Sequence, residues 1–202
     1  MAQSDDARDN AASGASPKRG QTGSGGGPGG KSGSRRTGGG SAKARRKAAR
    51  LAAVQALYQV DLSGTNTETV LGEFIKHRLG HEVDGDTYVA ADPQLFSDIL
   101  RGASARQAEL DTMLTSCLDA TWPVDRLERL TRAILRAGAF ELLVNVETQP
   151  RIVISEYVDV AHAFFAGREP AMVNGVLDKL ARAIRADDLA APDPSRAPAA
   201  GR

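Results

Sequence analysis

Hydrophobic residues recur at intervals of three and four along most of the chain after residue 41, which is the period of an amphipathic helix. This pattern predicts a first helix from Ser41 to about Leu62, opened by a serine that is suited to cap it. The turn-forming residues Ser63–Asn66 end that helix, and a shorter one is predicted over Glu68–Leu79. The polar stretch Gly80–Asp92 follows and is predicted to be a loop.

The same period continues through the second half of the chain. Pro93 suits the first turn of a helix, and the apolar stripe from there to Cys117 predicts one long helix. Trp122-Pro123 interrupts the pattern. Further helices are predicted at 125–144, with a potential break at Gly138, at 150–165 and at 170–184. No segment shows convincing strand alternation, so the sequence predicts an all-α fold of six or seven helices.

Both ends of the chain differ from this helical part. Residues 1–41 are mostly glycine, serine and alanine with scattered lysine and arginine, and they contain no leucine, isoleucine, valine or aromatic residue. Such a segment buries too little apolar surface to offset the entropy lost on ordering, so we expect a disordered extension. Residues 187–202 have the same character and are predicted to be a disordered tail. One domain of about 145 residues, 42–186, remains between them.

The formal net charge of +1 hides an asymmetry along the chain. Residues 1–50 hold eleven lysine and arginine residues against three aspartates, whereas the remaining residues hold fifteen against 22 aspartate and glutamate residues. The first part therefore carries +8 and the rest carries −7. A basic arm suits a polyanion, and an acidic body suits a basic protein partner.

Other features of the composition narrow the class of protein. The single cysteine, Cys117, excludes an internal disulfide and a multi-cysteine metal site, and its place on an apolar stripe predicts an inert core thiol. No apolar run approaches the roughly 20 residues that cross a bilayer, and the N-terminus has no secretory apolar core. We therefore expect a soluble cytoplasmic protein.

The start of the first predicted helix carries a basic stripe. Its members stand at offsets of zero, three, four and seven, which places them on one face: Lys43, Arg46, Lys47 and Arg50. A face this charged is costly to bury, so we expect these first turns to project beyond the body of the protein. The stripe suits nucleic-acid phosphates, while Gln55 and Tyr58 further along could contact bases. A solvated helix start is the alternative, and the pattern favours Tyr58 as a core residue with its hydroxyl at the surface over a base contact.

The stretches Ala44–Ser63, Arg132–Leu143 and Pro150–Arg182 together resemble one protein family, the NusB family. ARRKAARLAAVQALYQVDLS (Ala44–Ser63) is similar to the first helix of that family, and RAILRAGAFELL (Arg132–Leu143) to its central helix. PRIVISEYVDVAHAFFAGREPAMVNGVLDKLAR (Pro150–Arg182) is similar to its last two helices and contains the VNGVLDKL signature at Val173–Leu180. The resemblance extends from about Ser41 to Arg185.

This resemblance implies a helical fold of two small packed bundles. It also implies binding of single-stranded boxA RNA in ribosomal RNA transcripts, together with ribosomal protein NusE, in a complex that helps RNA polymerase read through terminators. Arg46, Lys47 and Arg50 match the arginine-rich motif of the family. Gln55 and Tyr58 match positions close to its RNA and partner surfaces.

The last predicted helix departs from the family pattern. Met172 stands where the family often has an aromatic residue able to lie against a base, and the preceding loop is shorter than in some members, with Glu169 as its acidic residue. Both residues are candidate RNA contacts. Gly175 is predicted to allow close helix packing, with Asn174 bonding a neighbouring backbone. Arg136 and Glu141, in the central helix, are predicted to be a structural polar pair or simply exposed.

No enzyme class fits the sequence well. His77 and His81 stand four residues apart and Asp84 and Asp86 follow, but Gly80 interrupts the helix that a metal site with this spacing would need. No phosphate-binding loop follows a strand, so we assign no catalytic residue, cofactor or metal.

Two alternatives to the antitermination function remain open. One is an accessory RNA-binding domain like that preceding some RNA cytosine methyltransferases, although the chain ends at Arg202 without a cofactor-binding domain. The other is a scaffold without RNA affinity that docks a basic partner or a second copy of itself. A homodimer is compatible with either.

Overall fold

The structure, a computed structural model, describes residues 40–79, 90–119 and 123–190. Within these ranges the chain forms eight α-helices and no strand, which confirms the all-α prediction. They are α1 (Ala42–Ser63), α2 (Thr67–His77), α3 (Pro93–Ala105), α4 (Gln107–Cys117), α5 (Arg129–Val144), α6 (Pro150–Phe164), α7 (Glu169–Ile184) and α8 (Ala186–Ala190), with one 3₁₀ turn at Val124–Arg126. None of these helices is long and apolar enough to cross a membrane. The predictions for residues 1–39, 80–89, 120–122 and 191–202 lie outside the described residues.

Side-chain caps fix where the first three helices begin. Ser41 Oγ accepts a hydrogen bond of 3.2 Å from the backbone N–H three residues later, as its place before the predicted helix suggests. Asn66 caps α2 in a similar way, and Asp92 caps α3 just ahead of Pro93. Between α1 and α2, Gly64 has a φ of 67°, the left-handed conformation that commonly ends a helix.

The single long helix predicted from Pro93 to Cys117 is wrong, because the chain breaks at Arg106 into α3 and α4. Both halves contact α5, but their other neighbours differ: α3 lies against α1 and α2, whereas α4 lies against α7. The apolar positions nevertheless keep their spacing across the break, with Leu100, Leu110 and Leu114 all buried. Periodicity alone therefore gives no sign of the change in direction.

The helices form two packed groups around one continuous apolar core. Helices α1, α2 and α3 pack together, with the rings of Phe74 and Phe96 stacked 5.6 Å apart. Helices α4 to α7 form the second group, in which α6 and α7 make the most extensive contact. Because α5 also contacts α1 and α3, it joins the two groups. This agrees with the two small bundles that the resemblance implies.

Close helix packing occurs at Gly138 and not at Gly175. Helix α5 passes through Gly138 without a break, and a Cβ there would lie 2.8 Å from a methyl carbon of Leu177 on α7. The sequence predicts this role for Gly175, but no atom lies within 4 Å of a Cβ placed at that residue. Asn174 beside it is exposed. The structural role predicted for Gly175 is therefore wrong.

A network of ion pairs joins α1, α4 and α5. Arg136 does not pair with Glu141; its guanidinium donates two hydrogen bonds of 2.7 Å to Asp111 and a longer one of 3.4 Å to Asp61. Arg132 donates to Asp61 at 2.8 Å. Burial works to raise the pKa of Asp61, but these two guanidinium groups outweigh it and hold the pKa below its usual value. The predicted pair of Arg136 and Glu141 is therefore absent, and Arg136 instead joins α5 to α4 and α1.

The C-terminal end of the described chain is helical where the sequence predicts a tail. Helix α8 covers Ala186–Ala190, and Arg185 Nε donates to a carboxylate oxygen of Asp188 at 2.6 Å. The predicted tail therefore does not begin at Asp187.

Candidate nucleic-acid interface

An open groove of 630 Å³ lies between the start of α1, the loop joining α5 to α6, and the first turns of α6. Its exposed cations are Lys43 and Arg46 of α1 and Arg151 of α6. The other side chains of the groove are mostly polar: Arg50, Glu147, Thr148, Gln149, Ile152, Ser155 and Glu156. The groove therefore combines three cations at its rim with hydrogen-bonding groups along its walls.

Lys43 and Arg46 reach the groove because they stand one turn apart on the exposed face of α1. The Arg46 Nε donates only weakly, at 3.4 Å, to a backbone carbonyl in the preceding turn. Within residues 40–79, 90–119 and 123–190, the ion pairs of this basic stripe are made by Lys47 and Arg50. The charges of Lys43 and Arg46 are therefore not neutralised by a described carboxylate.

Arg50 is not an exposed cation, which corrects its predicted place on the binding surface. The residue is 4% exposed, and its guanidinium donates to both carboxylate oxygens of Glu141, at 2.5 and 2.9 Å. A third bond of 3.2 Å reaches Glu156 on α6. Because two carboxylates already satisfy this guanidinium, Arg50 is a structural residue beneath the groove and not a phosphate ligand.

The carboxylate of Glu141 lies at the centre of this buried network. It also accepts a hydrogen bond of 3.0 Å from the Tyr157 hydroxyl and one of 3.3 Å from the Asn145 amide. Burial raises the pKa of Tyr157 well above its usual value, and the charge of Glu141 adds to this effect. Burial alone would lower the pKa of Arg50, but its bonds to Glu141 outweigh this and raise it. The network therefore contains an ionised guanidinium and a neutral phenol.

Lys47 faces α6 and not the groove. Its Nζ forms an ion pair of 2.7 Å with Asp159, and this hydrogen bond raises the pKa of Lys47. The two side chains are 51% and 53% exposed, so the pair is solvated and an incoming anion could displace the carboxylate at little cost. Together with the burial of Arg50, this pair shows that α1 lies along the body. The prediction that its first turns project beyond the body is wrong.

The N-terminus of α6 opens onto the groove. Gln149 precedes the helix without making a side-chain cap, and Pro150 occupies the first turn. Pro150 has no N–H, and the N–H of Ile152 donates to the Gln149 carbonyl at 2.9 Å, which leaves the N–H of Arg151. This donor and the helix dipole both favour a negative group at this end. They add to the attraction that Arg151 exerts from the same turn.

Gln55 and Tyr58 lie on a different surface, an apolar patch further along α1. The patch surrounds a cavity of 460 Å³ lined by Gln55, Tyr58, Gln59, Leu62, Arg78, Leu130 and Phe164. Leu62 is 55% exposed and Phe164 is 36% exposed, and both line this one cavity, so they form a contiguous apolar surface. Tyr58 is half-buried and packs against the core. The structure therefore separates these two predicted RNA contacts from the cationic groove.

Glu169 and Met172 lie in the first turn of α7 and line neither the groove nor the patch. Both are half-buried, and Met172 packs against the core. The predicted site residues thus fall into three places on the molecule.

Sequence reasoning missed the parts of both surfaces that other helices contribute. Arg151 follows Pro150, a residue typical of helix starts, and that signal could have marked it as a cation at a helix N-terminus. Leu62 and Phe164 stand near helix ends, where apolar residues gave no sign of being exposed. Cys117 is buried, as predicted.

Of the four histidine and aspartate residues considered as metal ligands in the sequence, His77 lies within the described ranges. Among the described ranges no three histidine, cysteine, aspartate or glutamate residues form a cluster that could hold a metal ion. His81, Asp84 and Asp86 lie outside those ranges.

Comparison with known proteins gives a consistent result. The family model described as the NusB family matches residues 47–182. A curated relative from Agrobacterium fabrum, named transcription antitermination protein NusB, is 48% identical over 143 residues, covering 71% of this chain and 87% of its own.

Two solved structures resemble the fold. NusB from T. maritima has a TM-score of 0.58 at 23% identity and covers 72% of this chain and 97% of its own. A structure of antitermination factors NusB and NusE in complex with dsRNA has a TM-score of 0.57 at 26% identity, covering 69% of this chain and 97% of that chain.

Proposed function

Because this chain belongs to the NusB family, we propose that it is an RNA-binding transcription antitermination factor that acts together with ribosomal protein NusE. Its RNA ligand is a boxA-type sequence of ribosomal RNA transcripts, and the assembled complex helps RNA polymerase read through terminators. This activity belongs to the cytoplasm and uses no catalytic residue, cofactor or metal of the chain.

The observation that carries the RNA-binding proposal is the groove between α1 and α6. Lys43, Arg46 and Arg151 place three cations around a polar channel that is open to solvent. The N-terminus of α6 adds the backbone N–H of Arg151 and the positive end of the helix dipole to the same channel. Phosphates are held by such cations and N–H groups, while the polar side chains of the loop at 147–149 can bond base edges.

The apolar patch supports the second part of the proposal, a protein partner. Leu62 and Phe164 expose large apolar side chains around a cavity, and Tyr58 and Arg78 stand beside them. Exposed apolar and aromatic groups with an arginine nearby are typical of the centre of a protein interface. We assign NusE to this patch and the RNA to the groove.

A titration of boxA-type RNA, with and without NusE, tests the proposed function. We expect the protein alone to bind the single strand with a micromolar or smaller Kd, and NusE to strengthen that binding. A duplex of the same sequence and an unrelated single strand serve as comparisons. If none of these RNAs binds, with or without NusE, the proposal is wrong; if NusE binds in the absence of any RNA affinity, the scaffold alternative is favoured.

Removing two cations of the groove, by the double substitution Lys43→Gln and Arg46→Gln, should weaken RNA binding. We expect about a tenfold rise in Kd and a loss of about 1.4 from the log–log salt slope, since each phosphate contact to a single strand contributes about 0.7. Fluorescence anisotropy at several salt concentrations measures both quantities.

The matched control is Lys76→Gln with Arg126→Gln, which makes the same charge change at exposed residues outside the groove. We expect its slope to match that of the parent. Equal slopes for the two double variants would contradict the assignment of RNA to the groove.

Substituting the apolar patch, by Leu62→Asn with Phe164→Ser, should weaken NusE binding and leave RNA binding alone. Truncating central apolar side chains of an interface costs about 2 kcal/mol or more, so we expect the Kd for NusE to rise about thirtyfold. Isothermal titration calorimetry measures the Kd. Val144→Asn is the control, because Val144 is also exposed, at 43%, but does not line the patch. If the patch variant binds NusE as tightly as this control does, NusE does not bind at the patch. If, in addition, the self-association of the variant is altered, the patch is a homodimer interface.

A further inference from the structure

Arg185 makes an unusual set of contacts just after the end of α7. Its side chain is 7% exposed, and its guanidinium donates to three backbone carbonyls of the loop between α5 and α6. The acceptors are Asn145 at 3.1 Å, Thr148 at 2.9 Å and Val146 at 2.9 Å. The remaining Nε donates to Asp188 on α8. One buried cation thus ties the C-terminal segment to this loop.

The same loop forms the rim of the cationic groove. Glu147, Thr148 and Gln149 line the groove, while the carbonyls on either side of Glu147 accept from Arg185. The C-terminal segment also contacts a cation of the groove, because Arg151 donates to the backbone carbonyl of Leu189 at 3.0 Å. Both contacts come from residues 185–189, beyond the stretch 47–182 that the family model matches.

From these contacts we infer that Arg185 is a positioning residue for the RNA groove, and that it acts by fixing the backbone of loop 145–149. This inference rests on the proposed function, since the groove is the surface that it serves. The C-terminal segment therefore affects RNA affinity without touching the RNA.

The physical reason is the cost of ordering a loop. The three acceptor carbonyls belong to the loop that follows α5, where no helix pairs them, although that of Asn145 also accepts from the N–H of Thr148 at 3.3 Å. A guanidinium can bond several of them at once because its donors are held in a planar fork. Without Arg185, the loop must find other donors or move towards solvent. Binding RNA would then require the rim to be ordered again, which lowers affinity.

The test compares Arg185→Gln with Arg182→Gln. Arg182 lies three residues earlier, pairs with Asp178 of its own helix and has a side chain that is 70% exposed, so the control makes the same charge change without disturbing the loop. We expect Arg185→Gln to raise the Kd for boxA-type single-stranded RNA about tenfold relative to Arg182→Gln. The log–log salt slope should stay equal in the two variants, because Arg185 contacts no phosphate.

Two further measurements separate positioning from a general structural role. The Kd of Arg185→Gln for NusE should remain within about twofold of the control value, since the apolar patch lies on other residues. Arg185→Lys keeps the charge but loses the fork, so its RNA Kd should fall between those of the parent and Arg185→Gln; it also decides the matter if Arg185→Gln does not fold.

The possible outcomes distinguish this inference from the proposed function. If the parent binds no RNA, the proposed function itself fails. If the parent binds RNA and both Arg185 variants bind it as tightly as Arg182→Gln, the inference is overturned. A smaller salt slope for Arg185→Gln would make Arg185 a direct RNA contact, and equal losses of RNA and NusE binding would make it a general stability residue; either result also overturns the inference.

Discussion

Replacing Arg50 with alanine is expected to lower the free energy of unfolding by about 3–5 kcal/mol, the range typical of breaking a buried ion pair. The side chain is 4% exposed, and its loss would leave Glu141 and Glu156 buried side by side without their cation. Two like charges at this depth repel each other and have lost their hydration, so the folded state is penalised twice. Chemical denaturation followed by circular dichroism measures the change.

Two comparisons make this prediction specific. Lys47→Ala removes an ion pair from the same helix, but both partners are about half exposed, and we expect the free energy of unfolding to change by no more than about 1 kcal/mol. Adding Glu156→Gln to Arg50→Ala removes one of the stranded charges and should restore part of the loss. If Arg50→Ala costs no more than Lys47→Ala, the buried network does not stabilise the fold. Because the variant is expected to be unstable, weaker RNA binding by Arg50→Ala would not identify Arg50 as an RNA contact.

Alanine substitutions at Gly102 and Gly175 should change stability in opposite directions. A Cβ at Gly102 of α3 would overlap the ring of Phe140 on α5, and this ring is itself buried. Overpacking of this kind costs about 1–3 kcal/mol, so we expect Gly102→Ala to destabilise the protein by that amount. At Gly175 nothing lies within 4 Å, and alanine should stabilise α7 by up to about 1 kcal/mol because glycine is a poor helix former.

Thermal unfolding of the two variants under identical conditions tests this pair of predictions. We expect the Tm of Gly102→Ala to fall and that of Gly175→Ala to rise relative to the parent. A rise for Gly102→Ala would mean that the Phe140 ring moves aside readily and that α3 and α5 are less closely packed. A fall for Gly175→Ala would mean that this position is constrained by contacts absent from the described chain.

The features that the sequence predicted correctly are those that depend on a few neighbouring residues, such as helix starts and the burial of single side chains. The Ser41 cap, the start of α6 at Pro150 and the burial of Cys117 each depend on a few neighbouring residues, and all three are found. The break at Arg106 was missed because both sides of it keep the same apolar spacing. Hydrophobic period reports which face is buried, but it does not report which neighbour buries it.

The candidate binding surfaces were predicted only in part, because they depend on contacts between distant residues. Arg50 shares a helix face with Lys43 and Arg46, so a local argument placed all three in solvent. Its partners Glu141 and Glu156 lie 91 and 106 residues away, and only the packing of α1 against α5 and α6 brings them together. The same packing brings Arg151 to the groove and Phe164 to the apolar patch.

The cationic groove and the apolar patch both include residues of α1, so this helix fixes the distance and the angle between them. Arg46 and Leu62 lie about 24 Å apart along the axis at roughly 1.5 Å per residue, so an RNA strand and a protein can occupy the two ends without competing. In the proposed arrangement, the helix is a rigid spacer that sets both the distance and the angle between the two ligands. Inserting a single residue between them would rotate one ligand about the axis by about 100° relative to the other, even with every contact residue unchanged.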